Sequence, residues 1–81
     1  MRVTVNFYSY FKDRAGCAAA VETLPDDSTL GDLCARLVAR FPGLEGMRNS
    51  MLMAVGVNYQ RAEYVLRDGD EVSLFPPVQG G

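Results

Sequence analysis

Histidine and tryptophan are both absent from this 81-residue chain, and lysine occurs once, as Lys12. Without histidine there is no side chain whose unperturbed pKa lies near neutrality. The usual Ser/His and Cys/His nucleophilic sites therefore cannot be assembled. Cys17 and Cys34 are the only cysteines. They are too few for a disulfide framework and, with no histidine, fall short of a tetrahedral zinc set. Autonomous catalysis would have to rest on carboxylates, so the chain is expected not to be an enzyme on its own.

Concentrated positive charge is also missing. Lysine and arginine together number 8, scattered along the chain, against 10 acidic residues, for a net charge of −2. A phosphate-backbone binder needs a basic face, so no nucleic-acid partner is expected. No apolar run reaches the length that spans a bilayer. The opening Met1-Arg2-Val3-Thr4-Val5-Asn6 alternates like a strand and has no signal-peptide core. No membrane partner is expected, and the cytoplasm is the expected location. The 48% hydrophobic content is enough for a packed globular fold.

Val3, Val5 and Phe7 alternate with polar neighbours, which predicts a half-buried strand over residues 2–8. Ser9 to Ala15 reads as a turn of helix with Phe11 inward. Residues 18–24 contain three alanines, yet Gly16 and Pro25-Asp26-Asp27 bound them at strand length. The clearest element follows. Leu30, Leu33, Cys34, Leu37, Val38 and Phe41 form one helical face, Thr29 and Asp32 have capping-box spacing, and Pro42-Gly43 is a stop. Residues 44–50 read as a loop or helical turn, 51–57 as a third strand, and 59–66 as a connection with at most a short strand. Asp68-Gly69 marks a turn, and Val72 and Leu74 mark the last strand, which Pro76-Pro77 ends.

Two strands in a hairpin, a long helix, then more strands make an α+β chain with one mixed sheet covered by the helix. This is the pattern of ubiquitin and the β-grasp, in which the first and last strands lie side by side. Residues 1–75 would form that domain, and 76–81 a flexible tail. Six residues reach roughly 20 Å when extended. The prolines favour an extended start, and Gly80-Gly81 carries no side chain that would bar passage through a narrow channel. Gly-Gly alone is an unspecific signal. Phe75-Pro76-Pro77-Val78-Gln79-Gly80-Gly81 directly after a final strand is a stronger one, because its last group is a carboxylate on a slender arm.

Leu66, the run Asp68-Gly69-Asp70-Glu71-Val72 and the segment 75–81 resemble the ubiquitin-like sulfur carriers of the MoaD/ThiS type. Within them, the small subunits of molybdopterin synthase are the nearest pattern. The Val3-Val5-Phe7 strand and the Thr29-Leu30-Gly31-Asp32-Leu33 helix start agree, so the resemblance spans the chain. It departs at Gly56, where the family often has asparagine, and at Gln79, where serine or threonine is common. The resemblance implies that Gly81, with Gly80, carries the reactive C-terminal carboxylate, which is adenylated and then thiocarboxylated. It implies a ubiquitin-activating-type adenylyltransferase that uses ATP, a sulfur donor protein, and the large subunit of molybdopterin synthase as partners. It implies no cofactor or metal bound by the chain itself. The sulfur would pass to cyclic pyranopterin monophosphate in molybdenum cofactor biosynthesis, making the chain one subunit of a sulfurtransferase complex. Other sulfur pathways (thiamine thiazole, tRNA thiolation, cysteine), a protein modifier and an inert interaction domain remain as alternatives.

Phe75, Pro76, Pro77, Val78 and Gln79 are the expected partner-binding residues. If Val72 and Leu74 face the core, Phe75 is out of phase and at least partly exposed. Cys34, on the helical stripe, is expected to be a buried hydrophobe. Asp68, Asp70 and Glu71 are expected to serve a solvated hairpin.

Overall fold

The alternation at the start of the chain becomes strand β1 (Arg2–Phe7), with Val3, Val5 and Phe7 buried. The structure, a computed structural model, describes residues 1–47 and 51–76. A short helix α1 (Tyr10–Ala15) follows and buries Phe11. It closes on Gly16 in the left-handed region, whose N–H donates to the Lys12 carbonyl. Strand β2 (Ala19–Thr23) then runs back antiparallel to β1, with Thr4 opposite Val21. The three alanines thus lie at or beside a strand, as their flanking breakers predicted, because pairing with β1 outweighs their weak helical preference.

Helix α2 (Leu30–Arg40) has the expected cap. The Asp32 N–H donates to Thr29 Oγ1, and the Thr29 N–H donates to Asp32 Oδ2. Leu30, Leu33, Cys34 and Leu37 are buried against the β-sheet core. The helix stops at Arg40, one residue short of the periodic stripe. Phe41 has left helical geometry (φ −117°, ψ 90°), as the following proline requires of its predecessor. Its ring still reaches the core edge and meets Phe7 edge-on at 5.5 Å.

A single 3₁₀ turn at Pro42–Leu44 follows, and Leu44 is fully buried. Gly43 lies so close to α1 that a Cβ there would stand 2.2 Å from the Arg14 carbonyl oxygen. A glycine is therefore the only residue that fits this crossing without backbone movement.

Strands β3 (Leu52–Val55), β4 (Asn58–Tyr59) and β5 (Glu71–Phe75) complete one five-stranded sheet in the order β2-β1-β5-β3-β4. β1 and β5 are parallel neighbours in its centre, with Val5 opposite Val72 and Phe7 opposite Leu74. The other pairings are antiparallel. The 51–57 apolar run thus yields a shorter strand than its length suggests. Gly56, at φ 61°, turns it into a tight hairpin with β4. The connection from β4 to β5 is tied to the start of α2. The N–H groups of Leu30 and Gly31 donate to the carbonyls of Tyr64 and Ala62, and the Leu66 N–H donates to the Ser28 carbonyl. These bonds satisfy amides that a helix start otherwise leaves unpaired.

Among the described residues the buried polar side chains are Glu22, Ser28 and Ser73, and Glu22 alone of these is charged. Glu22 on β2 is buried at 3% exposure, and Arg40 at the end of α2 forms an ion pair with it. Arg40 also donates to the Val21 carbonyl and lies over the Phe41 ring. No helix among the described residues is long and apolar enough to cross a membrane.

Candidate functional site

Strand β5 holds alternate residues on opposite faces of the sheet. Val72 and Leu74 are buried beneath α2, so Glu71, Ser73 and Phe75 point to the other face. Phe75 is half-buried there, as its phase predicts. Two tyrosine rings pack against it. The Tyr8 ring stacks on it with centroids 4.8 Å apart and planes 10° apart, and the Tyr59 ring meets it edge-on at 6.2 Å.

The backbone explains this convergence. Tyr8 follows β1 directly, and its N–H donates to the Leu74 carbonyl, which extends the central parallel ladder by one residue. Tyr59 reaches the same face because β4 pairs with β3, with Ala54 opposite Tyr59. β3 in turn places Leu52 opposite Phe75 and Ala54 opposite Ser73. Tyr8, Tyr59 and the hairpin residue Val57 are exposed. The outcome is an aromatic surface around the point where the chain leaves the sheet. Pro76, the next residue, has no N–H and is half-buried.

Phe75, with Pro76 next to it in the chain, is therefore brought together with Tyr8 and Tyr59. Pro77, Val78, Gln79, Gly80 and Gly81 lie outside the described residues. The two tyrosines were not among the sequence candidates. Tyr8 was legible as the next outward position after Thr4 and Asn6. Tyr59 was not, because its place depends on the Gly56 hairpin.

Asp68 and Asp70 hold the turn before β5, and Glu71, the first residue of β5, ties that strand to β1. Asp68 Oδ1 accepts from the Arg2 N–H, Asp70 Oδ2 from the Arg67 N–H, and Glu71 Oε1 from Asn6 Nδ2, each at 2.8 Å. Cys34 is buried, with its sulfur 4.0 Å from that of Met51, while Cys17 is half-buried.

Comparison with known proteins places this arrangement. A model of the ThiS family matches residues 5–81. The molybdopterin synthase sulfur carrier subunit of Chlamydomonas reinhardtii is 30% identical over the full length of both chains. Small archaeal modifier protein 3 of Haloferax volcanii is 33% identical, again over the full length of both. Among solved structures, a putative molybdopterin converting factor subunit 1 from Pyrococcus furiosus superposes with a TM-score of 0.89 at 26% identity. That match covers 96% of this chain and 99% of the other. With its β-grasp sheet, its capped helix and a family match over nearly its whole length, the chain belongs to the ThiS family of ubiquitin-like proteins.

Proposed function

We propose that the chain is a sulfur carrier whose reactive group is the Gly81 carboxylate. The carrying observation is the delivery of Phe75-Pro76 from the central strand of the sheet onto an exposed aromatic surface. A partner that grips Tyr8, Phe75 and Tyr59 receives the following residues in a fixed direction. Residues 76–81 then act as the arm that takes the carboxylate into the partner's site.

The chemistry follows from what a carboxylate lacks. It is a poor acyl donor, because its leaving group would be oxide. An adenylyltransferase partner joins the Gly81 carboxylate to the α-phosphate of ATP and releases pyrophosphate. The terminal sulfur of a persulfide on a donor protein then displaces AMP to give an acyl disulfide, and a thiol cleaves its S–S bond, which leaves the thiocarboxylate on Gly81 and a disulfide on the donor cysteine. Its sulfur is a nucleophile held on a protein handle, so no free sulfide is released. The acids and bases belong to the partners, which suits a chain without histidine. ATP is consumed by the activating partner, and this chain binds no cofactor of its own.

The named relatives favour the large subunit of molybdopterin synthase as the acceptor's host and cyclic pyranopterin monophosphate as the sulfur acceptor. A second reading has its own support, since one relative of the same similarity is named a modifier protein. In that case the activated Gly81 acylates a lysine of a target protein.

Intact-mass spectrometry tests both. The chain is incubated with the adenylating enzyme of its own genome, ATP and a sulfur source. A gain of about 16 Da, oxygen replaced by sulfur, that disappears on deletion of Gly81 supports the carrier. No gain with a competent activating enzyme overturns it. Isopeptide-linked adducts in cell extract that require Gly81 support the modifier.

A further inference from the structure

The aromatic surface continues past Tyr8 into an open hollow of about 440 Å³, whose wall includes Asn6, Tyr8, Ser9, Lys12 and Ala19. Lys12 is the only charged residue on that wall and the only lysine in the chain. Its side chain is exposed, and neither ion pair among the described residues involves it. The nearby carboxylates form no ion pair with it. Glu71 takes its hydrogen bond from Asn6, and Asp13 is the next helical residue, a spacing at which side chains do not face each other.

Ser9 adds a second donor. Its hydroxyl makes no capping bond to α1, and its backbone is held at φ 56°, ψ −138°. L residues rarely adopt that region, and such strain concentrates where a surface engages a ligand. A net-negative chain thus presents, beside the aromatic surface, a cation without an ion pair and a hydroxyl without a capping bond.

We propose that this hollow seats an Asp or Glu side chain of the large synthase subunit, with the Lys12 ammonium and the Ser9 hydroxyl as its donors. This rests on the carrier reading. The hollow shares Tyr8 with the stack on Phe75, so a protein that covers Phe75 and Tyr8 stands at the edge of the hollow that Lys12 lines. Docking removes water from the pair, which strengthens its attraction and penalises a partner that offers a basic or apolar group there. Phe75 supplies the apolar anchor, and Lys12 fixes which way round the partner sits.

Titration calorimetry with the large subunit from the same genome, at two salt concentrations, tests this on the full chain. Lys12→Gln is expected to weaken binding roughly tenfold and to flatten its salt dependence, while Lys12→Arg stays close to wild type. Thermal unfolding of Lys12→Gln at the wild-type temperature shows that the loss lies in docking and not in folding. Unchanged affinity and unchanged salt dependence in Lys12→Gln overturn the inference and leave the carrier reading intact. A folded wild-type chain that fails to bind the large subunit overturns the molybdopterin reading and this inference with it.

Discussion

The ring of Phe75 lies flat against the ring of Tyr8, although the two residues are 67 positions apart in sequence, with centroids separated by 4.8 Å. The parallel pairing of β1 with β5 creates this contact, and it stands at the point where the chain leaves the sheet. Phe75 therefore has two aromatic partners among the described residues, Tyr8 and Tyr59, and exposed area left for a third. On the carrier reading, replacing it with alanine should weaken binding to the adenylating enzyme and to the large subunit by about 2 kcal/mol or more each, the range of a buried aromatic anchor. Calorimetric titration of each partner reads this. Unchanged affinity for both would remove Phe75 from the interface.

The stack itself is measurable in the free chain. Tyr8→Ala, Phe75→Ala and the double variant form a thermodynamic cycle, read by urea unfolding. A coupling of about 0.5–1.5 kcal/mol is expected for an aromatic pair in this geometry. Tyr8→Phe keeps the ring and should keep the coupling. A coupling near zero would mean that the two rings do not support each other in solution.

Local signals carried most of the fold. Thr29 and Asp32 announce a helix start because the capping bonds are made within four residues, and Val3, Val5 and Phe7 announce a strand because alternation needs no partner. Chain connectivity predicted the hairpin of the first two strands, and the side-by-side placement of the first and last strands came from the known β-grasp pattern. The aromatic surface was only half legible. Phase alone exposed Phe75, but its contact with Tyr59 depends on a hairpin at Gly56-Val57 that reads locally as the continuation of an apolar strand. The burial of Glu22 was not legible at all. A glutamate in a strand reads as solvated, and only the arrival of Arg40 from the end of α2 makes an inward carboxylate tolerable.

Gly43 gives a prediction independent of function. A methyl group there would stand 2.2 Å from the Arg14 carbonyl oxygen, and a backbone atom cannot swing away as a side-chain tip can. Gly43→Ala should cost about 3 kcal/mol or more by forcing α1 away from the 3₁₀ turn, at or above the upper end of the usual overpacking penalty. Gly46→Ala is the control for backbone strain, since Gly46 has positive φ but open space around it. Its loss should be nearer 1 kcal/mol. Equal thermal shifts in the two variants would show that the close approach to Arg14 does not govern Gly43.

The Glu22–Arg40 pair yields the sharpest asymmetry. Glu22 is buried while the Arg40 side chain is half exposed, so each partner leaves a different residue behind when the other is removed. Arg40→Met strands a buried carboxylate, and the expected loss is about 3 kcal/mol. Glu22→Gln leaves an arginine that water can still reach, and the expected loss is nearer 1 kcal/mol. The double variant Glu22→Leu with Arg40→Met removes both charges and keeps apolar volume. It should recover most of the stability lost in Arg40→Met, because no charge then remains buried without a partner. Denaturant unfolding of the three proteins decides it. If the double variant is as unstable as Arg40→Met, the loss comes from what Arg40 does elsewhere, its bond to the Val21 carbonyl and its place over the Phe41 ring, and not from the stranded carboxylate.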